Sequence, residues 1–88
     1  MYTVYVLYSS TFAKIYIGYT SNLAERMKSH NELATKGWTV RYRPWTIIHT
    51  ETFTSKSDAL RREKSLKSSR GRHWIRPEMI HTDIKKRS

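Results

Sequence analysis

Side chains of residues 2–8 sort with a period of two, Val4, Val6 and Tyr8 on one side and Thr3, Tyr5 and Leu7 on the other. That period, in a run rich in aromatic and β-branched residues, predicts a strand. Residues 15–19 repeat it, with Ile15, Ile17 and Tyr19 opposed to Tyr16 and Gly18. The intervening SSTFA has the length of a hairpin connection. A four-residue loop over residues 9–12 sets Tyr5 directly opposite Tyr16. Opposed residues share a face, so the two phenols become neighbours, for packing or for chemistry.

Beyond Thr20 the pattern turns helical. Thr20 or Ser21 caps a helix that runs to about His30. Leu23 and Met27, one turn apart, make its core contact with help from Ala24. Asn22, Arg26 and His30 form a second row, which is either a solvated face or an aligned set of functional groups. The polar and basic loop ELATKGWTVRYRPW follows, and its Pro44 excludes a helix there. Residues 45–52 read as a third strand, with Trp45 at its start assigned to the core.

Ser55 and Asp58 form a capping box that opens a second helix to about Ser69, ended by Gly71. HWIRPEMI is a short closing element of undefined type. In the second helix Leu60 and Leu66 lie on the inward stripe with Ala59 beside them, and Glu63 falls midway. A carboxylate on an apolar stripe is costly to desolvate unless it is paired or coordinated. Two roles stay open for Glu63. It pairs with Arg26 or another cation, or it holds a divalent ion, since Mg²⁺ is often bound by one or two carboxylates plus water and phosphate oxygens.

Composition narrows the choice. Eighty-eight residues allow a single domain, taken as residues 1–82 with a basic tail at 83–88. The chain has no cysteine, so disulfides and thiolate metal sites are excluded, in keeping with a reducing, cytoplasmic setting. No apolar run approaches the ~18 residues of a membrane span. Seventeen Lys and Arg against seven Asp and Glu give a net charge of +10, which attracts polyanions, nucleic acid foremost. Lys36, Trp38, Arg41, Tyr42 and Arg43 in the loop combine stacking groups with phosphate-binding cations. The acids are scattered, which argues against a two-metal site. His49, His73 and His81 make no zinc-type spacing with each other or with His30.

In this order the pieces resemble the GIY-YIG nuclease domain, especially its small stand-alone bacterial members, and they are similar to the nuclease domain of excision-repair endonucleases. Thr3-Val4-Tyr5 stands at the first motif and keeps its tyrosine, and Tyr16-Ile17-Gly18 is the second motif intact. GYTSNLAERMKSHN is similar to the family's helix carrying an Arg and, four residues later, a His followed by Asn. RPWTIIHTE and SDALRREKSLK resemble its third strand and its Glu-bearing helix. The resemblance implies an α+β fold, a three-stranded antiparallel sheet flanked by helices. It also implies phosphodiester hydrolysis with one Mg²⁺ or Mn²⁺, on DNA in preference to RNA, with DNA repair as the setting. Carried over by position, Tyr5 and Tyr16 are the paired phenols and Tyr16 the general base. Arg26 faces the phosphate, His30 is an accessory polar group and Glu63 the metal ligand. A phenol of ordinary pKa, about 10, is ionised in roughly one molecule in a thousand at neutral pH, so such a base needs cations or hydrogen-bond donors beside it. The alternatives are a non-catalytic nucleic-acid-binding module on the same fold and a basic structural protein of a ribonucleoprotein particle.

Overall fold

Strand β1 (Tyr2–Ser9) occupies the middle of a three-stranded antiparallel sheet, between β2 (Lys14–Thr20) and β3 (Thr46–Phe53). The computed structural model describes residues 1–33, 35 and 37–75. Helix α1 (Leu23–Lys28) runs into a π-helical turn, Ser29–Leu33, and a 3₁₀ helix spans Trp38–Tyr42. Helices α2 (Lys56–Lys67) and α3 (Ser69–Ile75) follow β3. The chain therefore has the expected three-stranded α+β architecture.

A central strand must satisfy two faces at once, and β1 does so by burying both. Val4 and Val6 pack with Ile17, Ala59, Leu66 and Ile75 under α2 and α3. Tyr5 and Leu7 pack on the opposite face with Trp45, flanked by Tyr16, Leu23, Met27 and Tyr42. Every residue from Val4 to Ser9 is consequently buried. Each Val or Leu so enclosed contributes roughly 1.5 to 3 kcal/mol of apolar burial, a large share of what a small domain can gather.

The hairpin register differs from the expected one. Tyr5 pairs with Gly18, and Tyr16 pairs with Leu7. The connection keeps the expected four residues but lies one position later, at 10–13, with Ala13 in the left-handed region at φ 53°, so the pairing shifts by two residues. A shift of two residues leaves every side chain on its face. The phenols thus stay neighbours, but diagonally.

Other local expectations are also revised. Asn22 is the cap of α1, its side chain accepting from the Glu25 amide at 3.2 Å, so it does not belong to the row with Arg26 and His30. Ala24 is exposed. The α2 cap forms as expected at Ser55, which accepts from the Asp58 amide, while the Asp58 carboxylate lies toward Arg61. Its inward stripe, however, is Ala59, Glu63 and Leu66, while Leu60 is exposed. That spacing of i, i+4, i+7 keeps Glu63 on the stripe. Gly71 does not end α2, because Ser68 does, and Gly71 lies within α3. A Cβ there would come within 2.5 Å of the Leu66 backbone, so glycine permits the close crossing of the two helices. HWIRPEMI is helical through Ile75, and residues 76–82, the tail 83–88 and Lys36 lie outside the described residues. Among the described residues no helix is long and apolar enough to cross a membrane.

One ion-pair network was not foreseen from the scattered acids. His49 and Glu51 of β3 stand opposite Val6 and Val4, on the helix-packed face. Arg62 of α2 grips Glu51 in fork geometry, Nε to Oε1 and Nη2 to Oε2 both at 2.9 Å. His49 Nε2 lies 2.6 Å from the same carboxylate, and the Trp74 ring covers both Arg62 and His49. Burial alone pushes the Glu51 carboxyl up, but the Arg62 and His49 hydrogen bonds outweigh it and hold the group below the usual carboxylate value. A depressed carboxyl adds stability above the unfolded pKa and loses it as the pH falls through the folded one. Glu51→Gln should therefore cost about 1 kcal/mol at neutral pH, a melting shift of about 4 to 8 °C. The gap to wild type should close as the pH drops below about 4 in a thermal-melting series. A gap that stays constant in acid would contradict the network's role.

Candidate active site

Glycine at position 18 makes room for a phenol. A Cβ built there would meet Tyr5 Oη at 2.7 Å, Tyr5 Cζ at 2.9 Å and Tyr16 Cε1 at 3.1 Å. The Tyr5 side chain lies across this gap and is fully buried, its ring 6.2 Å from that of Tyr16. The second motif's glycine is thus the seat of the first motif's tyrosine.

From that seat the Tyr5 hydroxyl meets two partners. Arg26 Nε donates to Tyr5 Oη at 3.4 Å, and His30 Nε2 lies 3.0 Å from the same oxygen. His30 Nδ1 is 3.1 Å from Thr39 Oγ1. Burial, helped by the Arg26 and Arg43 cations, lowers the His30 pKa and keeps the imidazole neutral at neutral pH. Burial likewise pushes the Tyr5 phenol up to about 12, against the opposing hydrogen bond from Arg26. A neutral His30 has two tautomers, and the one that also pairs the Tyr5 hydroxyl hydrogen carries its proton on Nδ1. Arg26 donates to Tyr5, Tyr5 donates to His30 Nε2, and His30 Nδ1–H donates to Thr39. The Arg26 guanidinium is itself held above its ordinary value, chiefly by Tyr5 and less by Tyr16.

The elements carrying these groups are tied down by backbone contacts. Past α1 the chain widens into the π turn, a local form frequent at functional sites, which carries His30 in a buried position. Asn31 clamps the start of β3 in both directions, accepting from Trp45 N at 2.7 Å and donating to Trp45 O at 3.2 Å. Trp45, core as expected, donates from Nε1 to Thr39 O at 2.8 Å. Arg43 donates to the carbonyls of His30 and Ser29. Its guanidinium therefore ties down the start of the π turn, a task not foreseen from the sequence.

Two clefts open around Tyr16. One, of about 380 Å³, is lined by Tyr16, Arg26, Ser29, His30, Gly37, Trp38 and Thr39. The other, of about 400 Å³, is lined by Lys14, Tyr16, Trp38 and Lys67 among others. Trp38 is exposed, stacks on Tyr16 at 6.4 Å and touches Tyr42 at 4.7 Å. Tyr42 is half-buried between Phe12 and the Lys14 ammonium, and Arg41 is exposed on the 3₁₀ helix. Glu63 is 16% exposed and pairs with Lys67 at 3.6 Å, not with Arg26, while its charge acts on Tyr5. Among the described residues no three acids and imidazoles gather into a protein cage for a metal. One carboxylate facing a cation fits an ion that keeps most of its ligands as water and phosphate, as Mg²⁺ does.

The structure brings Tyr5, Tyr16, Arg26 and His30 together, with Glu63 nearby. Sequence reasoning missed Thr39, Asn31, Lys14 and Lys67. Lys67 was readable, being four residues after Glu63 on a helix. Thr39 carries no local signal, because its contact with His30 depends on how the loop folds back.

Comparison with known proteins places this geometry. The family model for the GIY-YIG catalytic domain matches residues 1–75. A UPF0213 protein of Halobacterium salinarum is 40% identical over 67 residues, 76% of this chain and 86% of the relative. One of Natronomonas pharaonis is 40% identical over 65 residues, 74% and 75% of the two chains. One of Staphylococcus haemolyticus is 39% identical over 54 residues, 61% of this chain and 66% of the relative. The solution NMR structure of the UPF0213 protein from Bacillus halodurans is 29% identical, with a TM-score of 0.52 over 85% of this chain and 82% of that one.

Gly18→Ala tests the seat. Alanine in place of glycine within a strand ordinarily stabilises by roughly 0.5 to 1 kcal/mol. Here the methyl would collide with Tyr5, so the change should instead cost about 1 to 3 kcal/mol by thermal or urea unfolding. In the Tyr5→Phe background, which lacks the nearest atom, the cost should shrink. Equal costs in both backgrounds would show that the Tyr5 hydroxyl is not what occupies the space.

Proposed function

We propose that this chain, which belongs to the GIY-YIG family, is a divalent-cation-dependent endonuclease that hydrolyses phosphodiester bonds in nucleic acid, DNA before RNA. The family is a nuclease family, and the net charge of +10 suits a polyanionic substrate. The observation that carries the reading is one cleft lined by a phenol, a guanidinium and a neutral imidazole, Tyr16, Arg26 and His30.

In the reaction, water adds to phosphorus as one of its protons passes to a phenolate base, the bond from phosphorus to the 3′-oxygen breaks, and the departing oxygen takes a proton from solvent. Arg26 donates to the equatorial oxygens as their charge builds. Tyr16, half-buried and open to two clefts, is the phenol placed to take the proton. Tyr5 is poorly suited to that task, because it is fully enclosed and holds its proton up to about pH 12. It orients Arg26 and shares its proton with His30. Glu63 would hold the cation, whose contribution when bound is stabilisation of charge on the leaving oxygen. Trp38 and Arg41, exposed beside the cleft, would contact bases and phosphates of the incoming strand.

Single-turnover cleavage of matched DNA and RNA substrates, with melting as control, tests this reading. Tyr16→Phe should keep the fold and lose about 10²- to 10⁴-fold in rate, equivalent to roughly 3 to 5 kcal/mol of barrier. Tyr5→Phe should be milder, and Glu63→Gln should abolish cation-dependent cutting while binding persists. If Tyr5→Phe is dead and Tyr16→Phe cuts normally, the two roles are exchanged. Binding by the wild type without any cleavage would reduce the protein to a binding module.

A further inference from the structure

We infer that Lys67 is a phosphate-binding group held by Glu63 until a divalent cation displaces it, and that with Lys14 it then forms a second phosphate subsite beside the catalytic cleft. This rests on the functional reading above, which assigns the cation to Glu63.

The ion pair is loose. Its 3.6 Å separation exceeds the roughly 2.7 to 2.9 Å of a tight charge-assisted bond. The two partners are unequally enclosed, with Glu63 16% exposed and Lys67 50%. Lys67 is therefore the partner free to leave, and a pair so exposed biases an equilibrium by no more than about fivefold. A dication at the same carboxylate competes with it directly. The side chain is not left without a destination, because Lys67 lines the cleft of about 400 Å³ together with Lys14. Among the described residues no acid lines that cleft. Its remaining walls include Tyr16 and Trp38, both shared with the cleft that holds Arg26 and His30. A phosphodiester chain held at Arg26 can thus continue past Trp38 toward the two ammonium groups. Metal binding would then do two things, adding a cation at Glu63 and releasing a lysine to the substrate.

A thermodynamic cycle isolates this coupling. Fluorescence anisotropy of a labelled oligonucleotide, with EDTA present, is measured for wild type, Glu63→Gln, Lys67→Met and the double variant. Met preserves the stem and the helix propensity of Lys. Glu63→Gln should tighten metal-free binding at least twofold more when Lys67 is present than in the Lys67→Met background. Mn²⁺ titration followed by electron paramagnetic resonance should show Lys67→Met binding the ion about two- to fivefold tighter than wild type. Equal effects of Glu63→Gln in both backgrounds, or an unchanged Mn²⁺ affinity in Lys67→Met, would overturn the inference while leaving the nuclease reading intact. A wild type that binds no Mn²⁺ would overturn the displacement and the assignment of the cation to Glu63 together.

Discussion

The candidate site depends on an absent methyl group. Because Gly18 has no Cβ, the Tyr5 ring can lie across β2 and carry its hydroxyl to within reach of Arg26 and His30. Full burial then makes ionisation of that phenol costly, so Tyr5 remains a donor. A donor at this position is satisfied by a neutral His30, and the same enclosure plus two arginines keeps the imidazole neutral. Position and protonation thus follow from one steric allowance, and pairing the Tyr5 hydroxyl hydrogen then sets the His30 tautomer. They leave Tyr16 as the phenol that faces both clefts.

A small chain has few ways to hold such a site rigid. Here the sheet supplies one wall through β1, which is packed on both faces. The irregular segment between α1 and β3 supplies the other and is held by polar contacts to its backbone. Asn31, Arg43 and the Trp45 indole bind main-chain groups across 6 to 14 residues of sequence. These bonds satisfy carbonyls and amides that neither helix nor sheet would pair. They fix the loop bearing Thr39 and Trp38 against the helix bearing Arg26, so the cleft is shaped by polar clamps as much as by core packing.

Much of this was legible in the sequence, for reasons that differ by residue. The strands, the α2 cap and the inward place of Glu63 follow from local periodicity and capping chemistry, which do not depend on the rest of the fold. Family resemblance identified Tyr5, Tyr16, Arg26 and His30, and the structure draws them together. The hairpin register was not legible, since moving a four-residue turn by one position shifts the pairing by two without changing the exposed faces. Gly71 was misjudged, and the carbonyl contacts of Arg43 unforeseen, for a related reason. A basic loop residue suggests a phosphate and a late helical glycine suggests a stop, whereas tertiary contacts turn one into a carbonyl clamp and the other into a helix crossing. Thr39, joined to His30 by the path of the loop, left no mark in local pattern.

The protonation order Arg26–Tyr5–His30–Thr39 can be read directly by nuclear magnetic resonance. The protein would carry ¹³Cζ-labelled tyrosine and ¹⁵N-labelled histidine through one pH titration. The Tyr5 carbon should show no ionisation until the pH nears 12, and His30 at neutral pH should be uncharged with its proton on Nδ1. Ionisation of Tyr5 near the ordinary phenol value of about 10, or a His30 proton found on Nε2 at neutral pH, would contradict the account.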